Sequence, residues 1–216
     1  MKNEGMPIAQ EGVPFLLVFV LAAIAFAVGG LWAGVLPCLL ISGYIAFFFR
    51  NPERLAPVGA SMVACPADGK VIFVGKATEG DFSKEEMQKV SIFMSLWDVH
   101  INRFPVDGTV KDMKYRKGRF MAAWEEGASQ ENERNALLLE TNHGDRMVVV
   151  QVAGLVARRI ICYPTIGSFI LKGQRFGLIR FGSRVDVYLP KDAEVLVKMG
   201  EKTLGGETIL AKLKEK

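Results

Sequence analysis

Only two side chains in this sequence carry an ordinary pKa close to neutral, His100 and His143. His143 stands in Thr141-Asn-His-Gly-Asp145, a run of turn formers between two strand-like stretches, and reads as a solvated turn residue. His100 follows a strand-like segment in Leu96-Trp-Asp-Val-His-Ile-Asn-Arg-Phe-Pro105. Taken alone, it suits a half-buried structural histidine as well as a proton carrier. Asp68, in Cys65-Pro-Ala-Asp-Gly-Lys70, falls on a turn signal. Two histidines without a cysteine or carboxylate ligand set predict no metal site. Cys38, Cys65 and Cys162 form no Cys-x-x-Cys pair and read as free thiols of a reducing compartment. A nucleophile elbow, a P-loop and a dinucleotide fingerprint are all missing.

The most informative stretch is Leu171–Leu189, where Gly173, Gly177 and Gly182 fall four and five residues apart between strand-like runs. Gly182-Ser183 is on one reading a turn or bulge dipeptide. On another it is a self-cleavage bond. Glycine does not hinder attack on its own carbonyl and tolerates a strained backbone, and the serine hydroxyl lies one residue on, placed for an N→O acyl shift. Gly167-Ser168 is the same dipeptide, so the residue pair does not decide between them.

These groups need elements to hold them. Half of the 216 residues are hydrophobic and mean hydropathy is +0.22, although 23% are charged. The figures agree because the apolar residues are bunched: Val13 to Phe49 contains no Asp, Glu, Lys or Arg. This excludes a disordered chain, a collagen and a disulfide scaffold. It disfavours a purely cytosolic protein and, with one such run, a polytopic channel. A span needs about 20 apolar residues. The run therefore predicts a transmembrane helical hairpin, Val13–Val28 and Leu31–Phe49, broken at Gly29-Gly30, with one long kinked span as the rival. Arg50 and Arg54 follow the run and only Lys2 precedes it, which puts the remainder on the cytoplasmic side of the cell (inner) membrane. A pI near 9.0 suits anionic lipid; without a clustered basic helix, no nucleic-acid partner is expected.

Beyond residue 50 the pattern is mostly strand. Lys70–Gly75, Lys89–Met94, Thr109–Tyr115, Ala136–Glu140, Met147–Val152, Arg159–Tyr163, Gly177–Arg180 and Val185–Leu189 are short β-branched or aromatic runs between turn formers. They predict a mainly β, barrel- or sandwich-like domain over 50–216, preceded by the hairpin over 1–49. Phe120–Arg134 reads as a polar loop or short helix.

Lys172-Gly-Gln-x-x-Gly-x-x-x-x-Gly-Ser183, followed by a strand some thirty residues from the C-terminus, resembles the processing region of phosphatidylserine decarboxylases. Cys-Pro-Ala-Asp-Gly-Lys at 65–70, Asp-Val-His-Ile-Asn-Arg-Phe-Pro at 98–105 and Asn-Glu-Arg-Asn at 132–135 match other blocks of that family in the same order. The match covers roughly 45 to 195 and is closest to the short form. The resemblance implies a proenzyme that cuts itself between Gly182 and Ser183. The products would be a larger chain, 1–182, and a smaller chain, 183–216, capped by a pyruvoyl group made from Ser183. That covalent cofactor would form a Schiff base with phosphatidylserine from the bilayer, which loses CO2 to give phosphatidylethanolamine.

The resemblance assigns Asp68 to the self-cleavage relay and His100 to proton transfer. Longer members carry His-x-x-His where this chain has His100-Ile-Asn-Arg103, so His100 is expected to serve both cleavage and decarboxylation. Their cleavage motif also has a threonine where this chain has Arg184. Arg116, Arg119, Arg158 and Arg159 are candidate phosphate contacts on charge alone. An ether-lipid (archaetidylserine) decarboxylase would need the same residues. A membrane-tethered β-barrel module without enzymatic activity is the reading from another class.

Overall fold

The computed structural model describes residues 3–118, 121, 131–154, 159–180 and 182–214. Most of the predicted loop or helix over 120–134 lies outside them, as do Arg119 and Arg158. The chain divides into two compact units, Met1–Glu53 and Arg54–Lys216.

In the first unit, α1 (Val13–Val28) and α2 (Trp32–Phe48) pack on each other. The apolar run breaks over residues 29–31, as its glycines predict, so the chain forms two helices rather than one kinked helix. Gln10–Val28 is long and apolar enough to cross a membrane, with mean hydropathy 2.4; Trp32–Phe48 is a shorter apolar helix. Leu17, Val18, Leu21, Leu36 and Leu40 are each more than half exposed, so the pair leaves apolar faces uncovered. The preceding segment is strapped to the end of α2 by Ala9 N–H to Phe49 O (2.8 Å) and Asn51 N–H to Pro7 O (2.8 Å).

The second unit is mainly β. Its strands are β1 (Met62–Ala64), β2 (Gly69–Thr78), β3 (Glu86–Met94), β4 (Ile101–Arg103), β5 (Gly108–Arg116), β6 (Arg134–Thr141) and β7 (Arg146–Ala153). There follow β8 (Ile160–Cys162), β9 (Phe169–Ile170), β10 (Arg175–Ile179), β11 (Ser183–Leu189), β12 (Glu194–Val195), β13 (Lys202–Thr203) and β14 (Ile209–Lys212). Eight form one antiparallel sheet in the order β13-β2-β3-β11-β7-β6-β5-β9. Two three-stranded sheets, β1-β14-β12 and β4-β10-β8, complete the unit. All eight strands expected from sequence are present with ends moved by a few residues. The six others are two to four residues long, too short to show an alternation.

Alternation decides which way the large sheet faces. Val185, Val187 and Leu189 of β11 point into the main core with Ile92, Leu137, Val149 and Phe176. Tyr188 points to the opposite face, with Val148 and Val150. On that second face, near the β2–β3 turn, the Asp81 carboxylate is buried and pairs with Arg116 and Arg134. The central strand β11 is therefore covered on both sides, and all seven of its residues are buried.

Candidate active site

Ser183 opens the central strand. It pairs with Met94 at the end of β3 and with Ala153 at the end of β7. It is therefore the first strand residue rather than part of a turn, and it is wholly buried. Gly182 before it has φ 61°, in the left-handed region, with open space where a Cβ would stand. The chain can thus turn sharply into β11 with Ser183 on the core face, the face of Val185 and Gln151.

Around Ser183 the buried side chains are polar in an otherwise apolar core. Ser183 Oγ donates to the Met94 thioether at 3.4 Å. Asn102 Nδ2 donates to the same sulfur at 3.6 Å. Gln151 Nε2 donates to Asn102 Oδ1 at 2.8 Å, and Asn135 Nδ2 donates to Gln151 Oε1 at 3.3 Å. Each amide fixes the orientation of the next, which makes the chain directional.

His100 is buried rather than half-buried, at 2% exposure. It immediately precedes β4, which pairs with β10 through Ile101 and Leu178. The Asp98 carboxylate accepts from Ser95 N–H (2.7 Å) and from its hydroxyl (2.6 Å), closing a turn that brings the Asp98 carbonyl to 3.0 Å from His100 Nδ1. A carbonyl only accepts, so Nδ1 carries the proton, and in the neutral ring Nε2 holds the lone pair. That tautomer suits a general base.

Asp68 is buried at the bend before β2. Its Oδ1 accepts from Gly205 N–H at 2.7 Å and its Oδ2 from Arg54 at 3.0 Å. Arg54 also bonds Glu207 at 3.0 Å. Gly69 then passes so close to β3 that a Cβ there would lie 2.2 Å from the Phe93 carbonyl oxygen. This crossing brings the start of β2 to the same end of the sheet as Met94 and Ser183. Arg103, in the position of the longer members' second histidine, is buried and donates to Gly173 O at 2.9 Å.

Four sequence blocks thus meet at one end of the sheet. The 65–70 block touches the 98–105 block through Arg103 N–H to Pro66 O (2.9 Å). The 98–105 block reaches Ser183 through Asn102 and Met94. The 132–135 block holds the end of β7 through Asn132 Nδ2 to Ala153 O (2.8 Å), and Ala153 pairs with Ser183. Against this stands a model of the family "Phosphatidylserine decarboxylase", which matches residues 42–211. The chain belongs to the phosphatidylserine decarboxylase family. It is 52% identical over 212 residues to the phosphatidylserine decarboxylase proenzyme of Geotalea uraniireducens, covering 97% of this chain and 98% of that one. The proenzyme of Geobacter sulfurreducens is 50% identical over 215 residues, with the same coverage, and that of Syntrophotalea carbinolica 47% over 214, covering 99% and 100%.

The other candidates stay outside this cluster of blocks. His143 is exposed in the β6–β7 turn, at the end of β7 remote from Ser183, about 23 Å away along the strand. Ser168 sits in a surface turn, its hydroxyl accepting from Thr165 N–H at 3.0 Å. The Arg116 guanidinium is committed to Asp81, and Arg159 is exposed just before β8. No cluster of metal-ligating side chains occurs among the described residues. Burial raises the Cys65 and Cys162 thiols from 9.0 to about 11, so both are neutral at physiological pH.

The sequence reading missed Met94 and Gln151 in the polar network at Ser183, and Arg54 beside Asp68. Gln151 had a signal: it is the lone polar residue in Met147-Val-Val-Val-Gln-Val-Ala153. Met94 had none, because a methionine at a strand end looks like any other core residue.

Proposed function

We propose that the chain is a self-processing decarboxylase of phosphatidylserine, cut between Gly182 and Ser183 into 1–182 and 183–216, which remain associated. The observation that carries this is the meeting of the four family blocks around Ser183, the buried member of the two Gly-Ser pairs. In the proposed maturation, Ser183 Oγ attacks the Gly182 carbonyl and the Gly182–Ser183 C–N bond breaks, leaving an ester and a free Ser183 amine. Loss of the Ser183 α-proton then expels the Gly182 carboxylate, and water displaces ammonia to leave a pyruvoyl group at residue 183.

The residues present fit such a group. Ser183 lies in a buried site whose nearest hydroxyl partner is a thioether and not a carboxylate. When formed, the group supplies a ketone that takes the substrate amine and draws off the electrons released with CO2. His100 is the proposed base for the hydroxyl and α-protons, and the group that returns a proton to the substrate carbon. Its tautomer supports that role. Asp68 is the proposed second catalytic group, a buried negative charge favouring imidazolium formation, moderated by Arg54. Intact mass of the purified protein tests the reading. Two chains are expected, the smaller one carrying pyruvoyl in place of serine; one uncut chain would refute it.

The apolar helices are proposed to hold the enzyme on the inner face of the cell membrane, where its lipid substrate resides. Their uncovered apolar faces and the length of Gln10–Val28 support this. Removing residues 1–48 should abolish most flotation with liposomes while cleavage continues. A truncated protein that folds without cleaving would give the helices a part in maturation instead.

A further inference from the structure

Met94 is unusual among the core methionines because two donors converge on its sulfur: the Ser183 hydroxyl at 3.4 Å and the Asn102 amide at 3.6 Å. Met94 and Asn102 are both wholly buried, and the Asn102 amide is itself held by Gln151. A core methionine that merely fills space needs no such directional support. Among the described residues the thioether is the only side-chain partner of the Ser183 hydroxyl.

We propose that Met94 serves residue 183 in both of its chemical states, an inference that rests on the self-processing reading above. Before cleavage, residue 183 presents a hydroxyl, which costs free energy if buried without a partner. The sulfur accepts its proton weakly. That contact fixes the rotamer, and the oxygen lone pairs remain available for attack on Gly182. After cleavage the oxygen has left with the Gly182 carboxylate, the nitrogen has left as ammonia, and the former Cβ is a methyl group. An amide at position 94 would then keep only the Asn102 donor and bury its own NH2 against a methyl. A thioether makes good apolar contact with it. Leucine would suit only the later state and an amide only the earlier one. The Asn102 donor, anchored through Gln151 and Asn135, keeps the sulfur in place when the hydroxyl is lost.

The test separates the two states. Pulse-labelled proenzyme is followed on denaturing gels for cleavage. Met94→Leu, nearly equal in volume but without an acceptor, should lengthen the cleavage half-life about three- to tenfold. Met94→Gln should cleave within about threefold of the parent rate. Thermal unfolding is then measured with a permanent methyl at residue 183, in Ser183→Ala. Adding Met94→Gln should lower Tm by several degrees, whereas Met94→Leu should lower it less. Cleavage of Met94→Leu at the parent rate overturns the role before cleavage. An unchanged Tm for Ser183→Ala with Met94→Gln overturns the role after it. If the leucine variant aggregates, the glutamine variant decides, and cleavage slowed more than about threefold there counts against the proposal. Failure of the parent chain to cut at Gly182–Ser183 would instead refute self-processing itself.

Discussion

Gly167-Ser168 and Gly182-Ser183 are the same dipeptide in two settings. Both glycines have positive φ, 86° and 61°. At 167–168 the chain closes an exposed turn, and the serine hydroxyl is used up locally on Thr165. At 182–183 the positive-φ glycine leads the serine into the central strand of the large sheet, wholly buried, with blocks from distant parts of the chain packed around it. Left-handed glycine and an adjacent hydroxyl are common to both pairs, so the reactivity proposed for Gly182–Ser183 rests on what surrounds it. Burial removes competing water, and the surrounding strands fix the hydroxyl and the proposed base.

Three experiments press on this contrast, the largest expected effect first. Ser183→Ala should leave a single uncut, inactive chain on a denaturing gel, while Ser168→Ala should process like the parent. Loss of cleavage in a folded Ser168→Ala protein would mean that the wrong dipeptide had been chosen.

Next comes the base. Removing a general base costs about 10²- to 10⁴-fold, so His100→Ala should slow cleavage at least a hundredfold. Asp68→Asn should slow it less, and His143→Ala, remote from Ser183, should be neutral for cleavage and turnover. A His100→Ala proenzyme that cuts at the parent rate would transfer the role to another group.

The smallest effect concerns the shielding that distinguishes the buried setting. Cys65 and Cys162 keep their protons up to about pH 11 when folded, against 9.0 for an ordinary thiol. The unfolded chain therefore binds fewer thiol protons than the folded one once pH exceeds about 9. Their contribution to stability is complete below pH 9 and is lost as pH rises toward about 11. Under reducing conditions, chemical unfolding should show this decline, and it should be weaker in Cys65→Ser/Cys162→Ser. An identical slope in the double variant would show that these thiols do not titrate as buried groups.

Much of this molecule was legible before its structure. A 37-residue stretch without charge must be helical if it enters lipid, since no other arrangement of one segment satisfies its own backbone, and paired glycines mark its break. Alternating β-branched residues between turn formers located the long strands because their register is set locally by the face they bury. The family blocks pointed to Ser183, His100 and Asp68 as candidates. The sequence could not say that β4, only three residues long, would carry Asn102 to the sulfur of Met94, or that Gln151 would be reached by an asparagine sixteen residues away on the neighbouring strand. Nor could it say that the Asp98 carbonyl would fix the His100 tautomer. The contacts of Asn102 with Met94 and Gln151 join segments whose separation along the chain carries no periodic signal. They exist only because the large sheet and the small β4-β10-β8 sheet bring their ends together, and that was decided by packing.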